Sequence, residues 1–187
     1  MNKKLGLIIG GVAAAILVVG GGLWWFLQPK DEGTGQQPGQ NTSFAGAKDA
    51  CAYLSDTVAV RVLGAGAEKG TVTPAATSDD VSVSTCTYSS KATSLEDVKN
   101  MRSATLLIRS PLTAAGAKSN EVPFDTLKTG AIVVSGYGEK AYWDPEIGQL
   151  NVLKGGAWLI LSLGKSSLAE KSLDETKQLA DLIVPQF

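Results

Sequence analysis

The chain has 187 residues, with 17 lysines and arginines, 18 aspartates and glutamates and no histidine, which gives a net charge of -1. This balance provides no basic field for nucleic-acid phosphates, so we expect no nucleic-acid partner. The lack of histidine excludes Ser-His-Asp and Cys-His nucleophiles and histidine-ligated zinc. We therefore assign no catalytic residue, cofactor or metal ligand from the sequence.

Residues 5–27 form an apolar run without a charged side chain. As a helix this run is about 34 Å long, enough to cross a hydrocarbon core of ~30 Å. Two lysines precede it directly and two tryptophans lie at its end, where an interfacial aromatic belt is expected. The positive-inside rule then makes residues 1–4 a short cytoplasmic tail and everything after the run extracytoplasmic. We predict an uncleaved, single-pass signal anchor in the cell membrane, with the lipid bilayer as its partner.

A cleaved signal peptide is the alternative interpretation of this run. Its apolar region normally has ~7–15 residues and ends at a cleavage site of small residues. Here the run is longer, and the small residues 13–15 lie in its middle. Gly6 and Gly10 have the G-x-x-x-G spacing that lets two membrane helices approach closely, so a homodimer through this face is a further hypothesis.

The chain after the span divides into a linker and one domain. Residues 28–45 are rich in Gly, Pro, Gln and Asn and lack apolar residues before Phe44, which is typical of a flexible linker. Residues 46–187 are long enough for one domain with a core. We expect this extracytoplasmic domain to lie close to the membrane surface.

The first half of the domain begins with helices and continues with strands. Apolar residues recur at helical spacing in residues 48–63, and Ser55 can cap a second short helix that Gly64 ends. Residues 71–80 are rich in Thr, Ser and Ala and predict a loop. Residues 81–88 and 104–109 are typical of strands.

The next two segments give weaker signals. Residues 114–127 are ambiguous, because Pro123 argues against an unbroken helix. Residues 131–134 are short and β-branched.

The last part of the chain predicts a β-meander followed by a helix. Three strand-like runs, residues 140–143, 149–153 and 157–163, are separated by turns rich in Gly, Pro and Asp. A capping box at Ser167 or at Ser172 then begins a helix that continues to Pro185. We predict an α+β fold, an antiparallel sheet with flanking helices, preceded by a single transmembrane helix.

Cys51 and Cys86 are the only two cysteines of the chain. Both fall in the extracytoplasmic domain, where thiols are oxidised, so we predict a disulfide between them. By chain entropy, a closed loop of about 35 residues stabilises the fold by roughly 3.5–4 kcal/mol. A reactive thiol is the alternative, but neither cysteine has a C-x-x-C partner, a histidine or a basic neighbour to lower its pKa.

Two short motifs match enzyme signatures. Residues 136–141 fit the dinucleotide-binding pattern G-x-G-x-x-A, but they precede a predicted strand where the pattern requires a helix. Residues 162–165 fit S-x-x-K and residues 128–130 fit K-T-G, as in penicillin-binding enzymes. Their order is reversed and the serine lies in a predicted strand, so we interpret both motifs as chance.

The segments ACAYLSDTVAVRVLG, STCTY and GYGEKAYWDPEIGQLNVLKGGAWLILSLG occur in that order before the C-terminal helix. In this the chain resembles small disulfide-bonded extracytoplasmic domains of unknown function on actinobacterial lipoproteins and sensor-like membrane proteins. The resemblance covers about residues 49–184. It implies an α+β fold, a location in the bacterial cell envelope, and ligand or partner binding. The chain differs from that pattern by having a membrane helix instead of a lipidated cysteine.

We therefore expect a non-enzymatic, membrane-tethered binding or assembly module whose partner is an envelope protein or a cell-wall ligand. The alternative is a small envelope hydrolase that uses carboxylates, which cleave glycosidic bonds without histidine. Glu139, Asp144 and Glu146 are the acidic cluster available for it. Two carboxylates about 5–10 Å apart across a groove would favour this alternative.

A candidate binding face follows from the expected hairpin. If the strands pair symmetrically about residues 144–148, Trp143, Gln149 and Asn151 lie on one face, and Tyr142 and Leu150 lie on the other. The second face is apolar and should be the core. A partly exposed Trp143 would then anchor a partner. A slip of one residue in the register would instead bury it.

Overall fold

The computed structural model describes Phe44 and residues 46–128, 130–165 and 171–187. In this part of the chain, seven strands form one antiparallel sheet in the order β1-β2-β3-β7-β6-β5-β4. The strands are β1 (Glu68–Thr77), β2 (Val81–Ser89), β3 (Arg102–Pro111), β4 (Ile132–Val133), β5 (Lys140–Asp144), β6 (Gln149–Lys154) and β7 (Ala157–Lys165). The helices are α1 (Ala50–Tyr53), α2 (Asp56–Leu63), α3 (Leu95–Lys99), α4 (Ala114–Leu127) and α5 (Leu173–Ile183), with a final 3-10 turn at Val184–Gln186. The predicted α+β arrangement of an antiparallel sheet with flanking helices is confirmed.

The predicted cytoplasmic tail (1–4), membrane anchor (5–27) and all of the linker (28–45) except Phe44 lie outside the described residues. Of the helices that the structure describes, none combines the length and apolar character needed to cross a membrane.

The two N-terminal helices begin and end at the residues that the sequence indicates. The side chain of Asp49 caps α1, and Ser55 caps α2 by accepting a hydrogen bond from the backbone N–H of Val58. Gly64 ends α2 with a φ of 93°, a backbone conformation that favours glycine. Local capping chemistry therefore sets both helices.

A disulfide joins Cys51 of α1 to Cys86 of β2, with the two Cα atoms 5.1 Å apart. This confirms the predicted bond. Because α1 contacts β2 directly, the bond holds the N-terminal helices against the sheet. Strand β2 is the second strand of the sheet order, next to the edge strand β1.

The main core lies on one face of the sheet, here called the inner face, against α1, α2 and α5. Its strand residues alternate with those of the opposite face, as the pleat requires. Fully buried aliphatic side chains dominate it, among them Leu106, Ile108, Leu159, Leu161, Leu179 and Ile183. Burying such side chains is the dominant favourable contribution to folding.

The opposite face, here called the outer face, is covered in part by α4. A second apolar cluster lies between them: Phe124, Tyr142, Leu153 and Trp158. The ring of Phe124 lies edge-on to Tyr142 and to Trp158, with centroids 4.8 Å and 5.9 Å apart. The helix continues through Pro123 because buried residues on both sides of it, Asn120 and Phe124, pack against the sheet.

The expected loop over residues 71–80 is wrong for most of its length, since β1 extends to Thr77. Every residue of β1 is exposed, so neither face has the apolar alternation by which a strand is identified from sequence. Two register shifts and Pro74 make its pairing with β2 irregular. These are features by which edge strands resist pairing with other chains.

Candidate functional site

The β5–β6 hairpin has a register one residue away from the predicted one. Trp143 pairs with Leu150, and Tyr142 pairs with Asn151. Asp144 pairs with Gln149 and belongs to the strand, while its Oδ1 accepts hydrogen bonds from the backbone N–H groups of the next turn. By accepting these bonds, the Asp144 carboxylate limits the turn to residues 145–148. The resulting shift of one residue in the register places Trp143 on the same face as Leu150 instead of Gln149.

The three residues predicted as one partner-binding face are therefore divided between two faces. Trp143 is only 4% exposed and lies in the main core with Leu150 and Val152. Of the two alternatives left open by the sequence, the structure therefore shows the buried Trp143 and not the partly exposed anchor. Asn151 is also buried, and its Oδ1 accepts a hydrogen bond of 3.0 Å from Nε1 of Trp158. Gln149 is half-buried on the outer face.

Of the acidic cluster proposed for a hydrolase, Glu139 is separated from Asp144 and Glu146 by the length of β5, whereas Asp144 and Glu146 line the same small cavity. Glu139 precedes this strand and accepts hydrogen bonds from the backbone N–H of Gly155 through both carboxylate oxygens, at 3.0 Å and 3.1 Å. Asp144 ends the strand, about 16 Å away at ~3.3 Å per residue. Asp144 stabilises the turn that contains Glu146. Glu139 therefore does not face the other two carboxylates across a groove, and Asp144 is held by backbone N–H groups of its own turn.

The glycine motif of residues 136–141 forms a loop that enters β5 and opens no helix. Gly138 has a φ of +55°, and a Cβ there would lie 2.2 Å from the carbonyl oxygen of Leu153. Close backbone packing therefore explains this glycine better than a dinucleotide does.

The S-x-x-K motif of residues 162–165 lies within β7, with both ends of the motif on the strand. The lysine that contacts Ser162 is Lys171, whose Nζ donates to the Ser162 Oγ at 3.1 Å. Burial lowers the pKa of Lys171. Of the K-T-G motif, Thr129 lies outside the described residues.

The free edge at β4 is the first feature of a candidate binding site. Ile132 pairs with Trp143, and the backbone N–H of Val134 donates to the carbonyl of Ala141 at 3.0 Å. Hydrogen-bonded and non-hydrogen-bonded pairs alternate along an antiparallel ladder. The N–H and C=O of Val133 therefore point away from β5, towards the free edge. The Val133 side chain is 78% exposed.

A cavity of about 430 Å³ lies beside this edge, between the C-terminal half of α4 and the loop that leads into β5. Phe124, Tyr142 and Val133 contribute apolar surface to it. Burial, and secondly the charge of Asp144, raises the pKa of Tyr142 to about 12, so its hydroxyl is neutral at physiological pH. The cavity lies at the small end of the volume range of ligand pockets.

Charged side chains at the rim of this cavity neutralise one another. Lys140 contacts Glu121 at 2.9 Å and Asp125 at 2.8 Å, and Lys128 contacts Asp125 at 2.9 Å. Hydrogen bonds from Lys140, and then from Lys128, hold the pKa of Asp125 below its usual value, and the pKa of Lys140 is raised in turn by Asp125 and Glu121. These four charges are paired, and Glu139, which also lines the cavity, accepts hydrogen bonds from the backbone N–H of Gly155. The cavity therefore favours an apolar group over an anion.

Exposed apolar side chains continue the site outside the cavity. Leu127, Ile132 and Val133 are all exposed, with Ile132 and Val133 on opposite faces of β4. Leu127 also lines a smaller cavity of about 140 Å³, together with Ala131, Pro145 and the carboxylates Asp144 and Glu146. We call this set, with the β4 edge and the larger cavity, the β4 surface. The sequence gives one signal for it, the β-branched run of residues 131–134, but nothing in that run indicates a sheet edge.

Comparisons with protein families, with characterised proteins and with solved structures found no match to this chain. Within the part of the chain that the structure describes, no three cysteine, aspartate or glutamate side chains gather in a way that could hold a metal ion.

Proposed function

We propose that the protein is a membrane-tethered, extracytoplasmic binding module of the bacterial cell envelope, and that its domain binds an extended apolar segment of a partner envelope protein at the β4 surface. One observation supports this most directly. The outward-facing backbone groups of Val133 lie at an open sheet edge beside a cavity with apolar walls. In strand addition, such groups provide main-chain hydrogen bonds and a neighbouring pocket selects the side chain.

The two edges of the sheet differ in a way that favours β4. At β1, Lys69, Pro74 and two register shifts discourage a further strand. At β4 the exposed side chains are Ile132 and Val133, and neither carries a charge. A partner strand would cover these two apolar residues as well as the free backbone groups.

We propose that residues 5–27 span the membrane and tether the domain, with residues 1–4 in the cytoplasm. The G-x-x-x-G face of this span would be available for a homodimer. The disulfide between Cys51 and Cys86 supports an oxidising compartment for the domain. Protease added to intact protoplasts should digest the domain and leave the span. Protection of the domain in sealed cells would contradict the proposed orientation.

The strand-addition proposal is tested with the full chain in nanodiscs. A library of random displayed heptapeptides should yield binders with alternating apolar residues. Val133→Pro removes the outward N–H without removing a hydrogen bond of the sheet, and edge strands tolerate proline. We expect this variant to bind the selected peptides at least about tenfold more weakly, whereas Val133→Thr keeps the donor and most of the affinity. Equal binding by the proline variant would overturn strand addition.

The hydrolase alternative has less support, because Glu139 lies at the other end of β5 from Asp144 and Glu146, and the carboxylates of Glu139 and Asp144 accept backbone hydrogen bonds in turns.

A further inference from the structure

A second concave site lies on the outer face, away from the β4 surface. It is an open groove of about 520 Å³ between the β1–β2 hairpin and α4. Val83 and Ala76 contribute apolar surface, Ser119 lines it from α4, and Asp80 lies at one side. Arg109 of β3 supplies its positive charge.

Arg109 is held in place by buried groups. Its Nε donates to Oδ1 of Asn120 at 3.0 Å. Asn120 is 0% exposed, and its Nδ2 donates to the carbonyl oxygens of Arg109 and Gly156, both at 3.0 Å. These two bonds fix the orientation of the amide, so that its oxygen faces the arginine. The guanidinium also lies over the ring of Trp158, with Cζ 5.9 Å from the ring centroid.

This positioning leaves the outer end of the guanidinium without a partner in the part of the chain that the structure describes. Among the described residues, no carboxylate pairs with Arg109, whereas Arg102 contacts Glu175 at 3.1 Å. Both Nη groups of Arg109 remain available to donate. A half-buried cation that has lost part of its hydration is stabilised by an anion with matching geometry. The terminal N–H groups of arginine match the two oxygens of a carboxylate.

We propose that this groove binds the carboxylate of a small ligand with an apolar side chain, either an N-acylated amino acid or the C-terminal residue of a peptide. The carboxylate would accept hydrogen bonds from both Nη groups of Arg109, and the apolar side chain would lie against Val83 and Ala76. A monoanion fits better than a phosphate dianion, because Asp80 adds a negative charge to the same groove. This site is independent of the proposed strand addition.

The test uses the three arginines of the sequence, Arg61, Arg102 and Arg109. Arginine labelled with nitrogen-15 in the full chain, held in micelles, gives one Nε–H NMR signal for each. N-acetyl-leucine should move the Arg109 signal saturably and leave the other two in place. N-acetyl-leucinamide, which lacks the carboxylate, should bind at least about tenfold more weakly. A tetrapeptide ending in leucine, tested as the free acid and as the amide, distinguishes the two sources of the carboxylate.

Two matched variants each remove one positive charge. Arg109→Gln removes it from the groove, and Arg61→Gln removes it from the exposed side of α2. The first should lose at least about tenfold in affinity for N-acetyl-leucine and the second should lose none. If Arg109→Gln fails to fold by near-ultraviolet circular dichroism, the NMR titration of the unchanged chain decides. An unmoved Arg109 signal, equal binding of acid and amide, or inorganic phosphate binding as tightly as the acid would overturn the proposal.

Discussion

The indole N–H of Trp158 donates a 3.0 Å hydrogen bond to Oδ1 of Asn151, and both side chains are buried on the outer face. The two residues lie on neighbouring strands, β7 and β6. The bond allows a tryptophan to pack in the apolar cluster under α4 without leaving its polar atom unpaired. It therefore stabilises the cluster whose residues Phe124 and Tyr142 also line the cavity beside β4.

Replacing Asn151 by Leu should destabilise the domain by about 1–3 kcal/mol, because the buried N–H of Trp158 would lose its acceptor. Denaturant unfolding of the full chain in micelles, followed by tryptophan fluorescence, measures this loss. Gln149→Leu is the matched control on the same strand and face, and being half-buried it should change stability by less than about 0.5 kcal/mol. An equal effect of both substitutions would show that the hydrogen bond contributes nothing specific.

Replacing Trp143 by Ala should cost about 3–5 kcal/mol, because the side chain is buried in the main core beside Leu150. The same unfolding measurement applies. Val133→Ala, at an exposed position of the neighbouring strand, should cost under about 1 kcal/mol. A loss that small for Trp143→Ala would restore the exposed-anchor interpretation and contradict the register described above.

The sequence was sufficient where the determining interactions are local. Ser55 and Gly64 set the two ends of α2 through capping chemistry, and Gly148 and Gly155 lie in the turns of the C-terminal meander as expected. The register of the β5–β6 hairpin could not be predicted from local sequence. It depends on whether Asp144 belongs to the strand or to the turn, and a single carboxylate that accepts two backbone hydrogen bonds decides this.

The two proposed binding sites were even harder to predict from the sequence than the hairpin register. Arg109 and Asn120 meet because α4 folds back over β3, and neither residue belongs to a recognisable motif. The exposure of Val133 follows from the position of β4 at the end of the sheet order, a consequence of long-range pairing. Helix α3 was also missed, since none of its residues is buried and it therefore has no apolar periodicity.

The disulfide should be complete in the native protein, so alkylation under denaturing, non-reducing conditions should label neither Cys51 nor Cys86. Replacing both by serine should destabilise the domain by roughly 3.5–4 kcal/mol, through the entropy of the loop that the bond closes. Unfolding with and without reductant provides the measurement, and reductant should leave the double-serine variant unchanged. Labelling of both thiols in freshly prepared protein would contradict the bond.

Stability should fall at alkaline pH because three tyrosines keep their protons longer in the folded state. The pKa values of Tyr88, Tyr137 and Tyr142 are each raised to about 12, in every case first by burial. Hydrogen bonds to Asp56 and to Asp181 add to the effect at Tyr88 and Tyr137. Unfolded tyrosine ionises near 10, so the unfolded chain releases these protons first as the pH rises.

The stabilisation that these tyrosines provide is thus fully present below about pH 10 and is lost as the pH rises from 10 towards 12. Denaturant unfolding of the full chain at pH 9 and pH 11 should show a lower free energy of unfolding at the higher pH. Tyrosinate absorbance should show the native groups ionising near 12, and Tyr88→Phe should remove one of them from that high-pH phase and lessen the loss of stability. Ionisation of all three near pH 10 in the folded protein, with no change in stability between the two pH values, would refute this prediction.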